Sequence, residues 1–191
     1  MLVIFHSLFS TLGFSNTYVL AGGPGEDAVV IDPGTFNAQV LEAIEQSRCY
    51  ARWILLTHAH AAHCGGLRTL LKIYDAGIFC GMPDALDLPA RHVAGGETVR
   101  LGAFEFQAIE TPGHSMDSLC WLCGSLLFSG DALSAGRIGA TKDGYARGLL
   151  VSSLRSRILS LPEDVLVFPG HGPPSTIRSE RRFNPSLKQE L

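Results

Sequence analysis

Thr57-His58-Ala59-His60-Ala61-Ala62-His63 is the stretch on which the reading of this chain turns. It directly follows the apolar run Trp53–Leu56, which reads as a buried strand, and Gly65-Gly66 then opens a helical stripe of Leu67, Leu70, Leu71 and Tyr74. His58 and His60 are two residues apart. On a helix that spacing sends side chains to different faces, whereas at a strand end it puts both imidazoles on one side.

The same arrangement recurs outward from this stretch. His114 lies in Thr111-Pro-Gly-His-Ser115 after the strand-like run Phe104–Ile109. Asp131 lies in Ser129-Gly-Asp131 after Leu126–Phe128, and His171 in Pro169-Gly-His-Gly172 after Val165–Phe168. Five imidazoles and one carboxylate therefore sit in loops at strand ends, mostly beside glycines that permit close backbone approach. One such histidine is usually a surface or hydrogen-bonding residue. Four such loops together predict a metal site, because neutral imidazole and carboxylate suit zinc and other borderline divalent metals. Zinc is the expected metal, with iron or manganese as alternatives. His6 and His92 have no comparable context and read as ordinary residues.

Between these loops the chain alternates strands and helices. Leu2–Phe9, Asn16–Leu20, Ala28–Ile31, Ile78–Cys80, Val99–Leu101 and Ser118–Leu122 read as further strands. Helices are expected over Phe36–Ser47, over Pro83–Leu88 as a short one, and from Leu149 to Leu161. Asp32-Pro33-Gly34 supplies turn chemistry after the third strand. Strands in runs with intervening helices predict an α+β fold, two packed sheets with helices on the outer faces.

The 191 residues suit one domain, 1–191, with no internal repeat or linker. A net charge of -3 without a basic block argues against nucleic-acid binding. Cys49, Cys64, Cys80, Cys120 and Cys123 form no disulfide pattern, and Cys120-Trp-Leu-Cys123 lies in an apolar strand that sends its two thiols to opposite faces. Five free thiols fit a reducing cytoplasm. The N-terminal Met1-Leu-Val-Ile-Phe-His6 has no basic segment and reads as a strand rather than a signal peptide, and no apolar run is long enough to cross a bilayer.

These motifs carry a resemblance. Asn16-Thr-Tyr18, Ile31-Asp-Pro-Gly34, Thr57-His-x-His60, Thr111-Pro-Gly-His114, Phe128-Ser-Gly-Asp131, Pro169-Gly-His-Gly-Pro173 and the tail Glu180-Arg-Arg-Phe-Asn-Pro185 occur in order. The chain resembles the metallo-β-lactamase-fold hydrolases, in the short single-domain branch that looks like glyoxalase II (hydroxyacylglutathione hydrolase). The resemblance implies an αββα sandwich with the site along one edge. It implies one metal at His58, His60 and His114, a second at an Asp, His63 and His171, and Asp131 between the two.

Two departures qualify what carries over. The family pattern T-H-x-H-x-D-H has Asp where this chain has Ala62, and a methyl group cannot ligate. One tight metal and a weak or empty second site are therefore expected. Full-length glyoxalase II enzymes add a helical domain that binds glutathione, and the chain's end shortly after Pro185 leads us to expect that surface to be missing. β-Lactamases of the common zinc type carry Cys at the position of Asp131 and are exported, so that activity is not expected.

The leading expectation is hydrolysis of a thioester or related ester, a small-molecule substrate, by a metal-bound hydroxide, with His58, His60, His114 and Asp131 as the catalytic set. Ser115 reads as structural, and Arg137, Lys142, Arg147 and Arg178 as solvated charges. The alternatives are a persulfide dioxygenase holding one iron on His58, His114 and Asp131, and a metal-binding protein whose catalysis Ala62 has weakened.

Overall fold

Most of the strands and helices lie where their side-chain periods predict. A computed structural model describes residues 2–10, 13–82 and 84–188, with side chains from Ser15 onward. The first half runs β1 (Leu2–Ser10), β2 (Gly13–Ala21), β3 (Asp27–Ile31), α1 (Ala38–Gln46), β4 (Tyr50–Leu55), α2 (Ala61–Cys64), α3 (Leu67–Leu70) and β5 (Gly77–Cys80). Three short strands follow, β6 (Asp84–Ala85), β7 (Leu88–Pro89) and β8 (Arg91–His92). The second half runs β9 (Thr98–Leu101), β10 (Phe104–Glu110), β11 (Leu119–Cys123), β12 (Leu126–Gly130), β13 (Leu133–Ser134), β14 (Arg137–Ile138), α4 (Gly144–Ser153), β15 (Leu166–Pro169), β16 (Ser175–Thr176) and α5 (Ile177–Phe183).

Two six-stranded sheets result, ordered β1-β2-β3-β4-β5-β8 and β16-β15-β12-β11-β10-β9. Alternation along β3 shows how they pack. Val29 and Ile31 face the second sheet's Phe106, Trp121 and Phe128, while Ala28 and Val30 face α1 and the α2–α3 segment. On the far side, Cys120 and Leu127 face Leu150, Leu154 and Ile158 of the α4 segment and Ile177 of α5. The layers are therefore helix, sheet, sheet, helix, as expected. Fully burying a large apolar side chain such as Phe106 or Ile31 contributes about 1.5–3 kcal/mol, so the inter-sheet layer dominates cohesion. Trp121 adds a polar tie, its indole Nε1 donating to the Leu56 carbonyl at 3.0 Å across the sheets.

All five cysteines are free and buried. Cys120 packs under α4 and Cys123 between the sheets, so this C-x-x-C is split across two faces of β11. Two helix expectations need correction. Residues 84–89 form a hairpin, β6–β7, whose Leu86 and Asp87 both have positive φ (52° and 60°), the geometry of a two-residue turn; Pro83 lies outside the described residues. The short apolar spacing there does not distinguish strand from helix. The helix expected from Leu149 begins at Gly144, where the Asp143 carboxylate accepts from Ala146 N at 2.8 Å, and it widens to π-type winding over Leu154–Ile158. Gly144 and Gly148, poor helix formers, hid its first turns. Among the described residues no helix is long and apolar enough to cross a membrane.

Candidate metal centre

The first sheet delivers three imidazoles through the loop after β4. His58 is buried, His60 is exposed and precedes α2, and His63 is buried within α2. The second sheet delivers His114 after β10, Asp131 after β12 and His171 after β15. Backbone bonds stitch the two sheet ends together here: Leu119 N donates to Thr57 O at 2.8 Å, and Asn16 N to Gly170 O at 2.8 Å. The Asn16 side-chain amide donates to Pro169 O and Gly172 O, and Tyr18 OH to Pro169 O at 2.6 Å, so the Asn16-Thr-Tyr18 motif holds the His171 loop. Gly170 must be glycine, because a Cβ there would lie 2.5 Å from Asp131 Oδ1 and collide with the His63 ring.

Two overlapping sets of ligand atoms come within 4.8 Å of one another: His58, His60 and His114, and His58, His63 and Asp131. His171 belongs to neither set. Its Nδ1 instead donates to Asp131 Oδ1 at 2.6 Å, with the ring 42 % exposed. Ala62 adds no donor between His60 and His63. His92 lies at an exposed strand position in β8, away from these loops.

The orientation of the rings follows from one residue that sequence reading took only as a turn. Asp32, buried and held at φ 50°, accepts from Thr57 N at 2.8 Å and Thr57 Oγ1 at 2.7 Å through its two carboxylate oxygens, and faces His63 Nδ1 at 2.9 Å. Thr57 Oγ1 spends its proton on Asp32 and so accepts from His58 Nδ1, 3.1 Å away. Both imidazoles therefore carry hydrogen on Nδ1 and present Nε2. Across the site, the Ala140 carbonyl lies 2.8 Å from His114 Nδ1 and can only accept, so His114 also presents Nε2. That Nε2 stands 3.0 Å from His60 Nδ1 and 3.5 Å from Asp131 Oδ2. Asp117 accepts from Ala59 N at 2.8 Å and fixes the backbone between His58 and His60.

Electrostatics sort the groups. Burial, reinforced by the neighbouring His63, pushes His58 down to about 3, so it is a neutral ligand at physiological pH. Burial and His114 lower His60 as well. For His63 burial acts downward too, but the Asp32 and Asp131 carboxylates outweigh it and lift the group to about 10. Asp131 is the reverse: burial would raise it, yet the hydrogen bond from His171 and the neighbouring His63 ring hold it well below the usual carboxylate range.

These residues fit a divalent cation. His58 Nε2 and His63 Nε2 are buried with no hydrogen-bond partner, although Asp131 Oδ1 stands 3.4 Å from the latter, outside good geometry. An orphaned buried acceptor costs about 1–3 kcal/mol, and a cation facing His58, His60 and His114 would satisfy it. Residues 10–171 match the family described as Metallo-beta-lactamase superfamily. The chain belongs to that superfamily. Hydroxyacylglutathione hydrolase of Salmonella arizonae is 32 % identical over 167 residues, covering 86 % of this chain and 65 % of that protein; the Salmonella dublin enzyme of the same name is 33 % identical over 168 residues, with the same coverage. The chain thus spans about two thirds of the length of these curated relatives. Among solved structures, the BLEG-1 B3 metallo-beta-lactamase superposes with a TM-score of 0.87 at 29 % identity, covering 98 % of this chain and 100 % of that one. ETHE1 from Myxococcus xanthus gives 0.81 at 31 %, covering 95 % and 83 %, and TTHA1623 in a di-iron-bound form gives 0.79 at 32 %, covering 95 % and 98 %.

Sequence reading named every imidazole of the centre but missed three residues that orient it. Asp32 and Asn16 lay inside quoted motifs, so a signal existed without a role. Asp117 had none.

Proposed function

We propose that this chain is a metal-dependent hydrolase of a thioester or related ester, acting on a small molecule, with His58, His60 and His114 holding one tight metal, zinc foremost. The observation that carries this reading is the three-imidazole set with its orphaned buried His58 Nε2. The similarity to hydroxyacylglutathione hydrolases supports the substrate class. A bound divalent metal supplies Lewis acidity and lowers the pKa of its water toward neutrality.

The protein's own groups then have distinct tasks. His58 stays neutral through burial, His60 is lowered by partial burial and by the neighbouring His114, and Ala140 keeps His114 in the matching tautomer. Asp131 is too weak a base to take a proton readily, so its task is to orient water and balance charge beside His114. The acyl carbon accepts water's oxygen and water's proton passes to bulk solvent, as the C–S bond breaks and the thiolate leaves with the bonding pair. It needs little acid help, because a thiol pKa is about 8.5. No serine nucleophile takes part: Ser115 Oγ is engaged with Ser118 Oγ at 2.7 Å. His63, Asp131 and His171 are proposed as the remnant of a second metal position that Ala62 leaves incomplete.

The reading treats 1–191 as one catalytic domain in a reducing cytoplasm, in keeping with five buried free thiols, and without nucleic-acid or membrane partners. To test it, protein purified without added metal is analysed for metal and assayed on a glutathione thioester, a simpler thioester and a β-lactam, the last because a similar structure is named a B3 metallo-beta-lactamase. Thioester hydrolysis should be the main activity, and His114→Ala and Asp131→Ala should each abolish tight metal binding or activity, whereas His92→Ala should do neither. Full activity and metal content in His114→Ala would sink the assignment. Bound metal with no turnover of any thioester would favour a protein that has lost catalysis.

A second reading takes iron as the metal: a similar structure at 32 % identity is solved in a di-iron-bound form, and ETHE1 from Myxococcus xanthus, at 31 %, fits this alternative. On that reading His58, His114 and Asp131 hold one iron for a persulfide dioxygenase, and iron content with thiol-dependent oxygen uptake would select it.

A further inference from the structure

We infer that Glu180 and Asn184, at the far end of the chain, form a clamp that positions the open edge of the metal centre, acting through the β13–β14 hairpin on His114 and Asp131. The inference rests on reading His114 as a ligand of the tight metal and Asp131 as the group that orients water beside it.

The hairpin is the weak link of the site. It has only two pairings, Leu133↔Ile138 and Ser134↔Arg137, and a two-stranded ribbon of that length has no stability of its own. Yet both of its strands serve the centre. Asp131 stands two residues before β13, and two residues after β14 comes Ala140, whose carbonyl sets the His114 tautomer. Something outside the hairpin must therefore fix it.

The stem is tied at Leu133 O, which accepts from Ser129 Oγ at 2.6 Å. The tip is tied by α5. Gly136, at φ 72°, directs its N–H to both Glu180 carboxylate oxygens, at 3.3 and 3.2 Å. Asn184 Nδ2 donates to Glu180 Oε2 at 2.7 Å and to Arg137 O at 3.3 Å. Glu180 is 2 % exposed and Asn184 1 %, and among the described residues no ion pair is formed by Glu180. A buried carboxylate without a cation is costly unless its hydrogen bonds are needed, and each of these bonds leads to the hairpin or to the residue beside it. Glu180 is thus a positioning residue: it touches no ligand group and acts through Gly136, Ala140 and then His114.

The test follows the His114 ring itself. Long-range nitrogen–proton spectra of the histidines identify which ring nitrogen carries hydrogen, in metal-free and metal-loaded protein alike, and chelator competition gives the metal release rate. The unaltered chain should show His114 with hydrogen on Nδ1. Glu180→Ala should mix the two tautomers and release metal about 10–100-fold faster, the range for losing support behind a ligand. Glu180→Gln keeps an acceptor for Gly136 and should stay within about threefold of the unaltered chain, on the same scale. Val40→Ala, in the α1 layer remote from the hairpin, serves as the control of comparable destabilisation. If Glu180→Ala does not fold, Asn184→Ala carries the test. The inference is overturned if Glu180→Ala or Asn184→Ala leaves the His114 tautomer and release rate unchanged, or if Val40→Ala alters them equally. Retention of tight metal in His114→Ala would instead overturn the reading beneath it.

Discussion

Asp32 orients two imidazoles at once, directly at His63 and through Thr57 at His58, and it does so from a buried, left-handed backbone position. A strained conformation of that kind costs about 1–3 kcal/mol and persists where the surroundings over-determine it. At the neighbouring residue scale, Ala62 is the open question of stoichiometry. His63 and Asp131 have His58 as their third group, which the first set also uses, and His171 is committed to Asp131. Ala62→Asp should therefore raise bound metal from about one per chain, in a three-histidine site, to about two. The pH dependence has a defined sign. His63 is raised to about 10 in the metal-free protein, so at neutral pH it carries a proton that ligation must expel. Second-metal affinity in the variant should climb as pH rises from about 6.5 toward 9, by about tenfold per unit for one proton released. Equal stoichiometry in the two proteins by metal analysis would refute this account. The imidazoles were legible because metal chemistry restricts residue type and spacing. Asp32 was legible only as turn chemistry, because a residue that orients ligands is defined by contacts 25 to 31 residues away.

At the scale of elements, α4 links helix capping to the His114 loop. Gly113, at φ 137°, packs against Ala146 and Leu150, so the first turns of α4 form the floor beneath His114. Asp143 caps that helix through Ala146 N. Asp143→Ala should lower stability by about 1 kcal/mol, read by urea unfolding, with metal content unchanged. A loss below a few tenths would mean that packing alone holds this helix end. The long central strands were readable from alternation, as in β10, whose residues Phe104, Phe106 and Ala108 turn inward. The β6–β7 hairpin and the start of α4 were not, because one depends on left-handed turn residues and the other on a cap that two helical glycines conceal.

Across the whole molecule, the centre is shared between two sheets: the first provides His58, His60 and His63, the second His114, Asp131 and His171. A metal gripping His58, His60 and His114 ties the sheets together in the folded state alone. Stripping it with a chelator should therefore destabilise the fold, by about 4 kcal/mol when free metal had stood at a thousand times its dissociation constant. At about 2–4 °C per kcal/mol for a chain of this size, the melting temperature should fall on the order of 10 °C. An unchanged melting temperature with metal fully removed would show that the sheets are already locked by bonds such as Thr57–Leu119 and Asn16–Gly170. The layered architecture was readable from the sequence because central strands such as β3 and β12 are apolar on both faces. The stitching between sheets was not, since it ends on backbone carbonyls that meet backbone N–H groups or the side chains of Asn16, Tyr18 and Trp121.

The turn joining β11 to β12 has a use in the laboratory. It lies at the end of those strands remote from the ligands, and a strand of five residues such as β12 spans about 17 Å. Gly124 there sits at φ 58° with nothing within 4 Å of where a side chain would project, while Ser125 O is bonded to Leu166 N at 2.9 Å. A tether to a solid support or a fused reporter inserted beside Gly124, leaving Ser125 in place, would hang from the back of the sandwich and leave the rim that carries the histidines facing free solution.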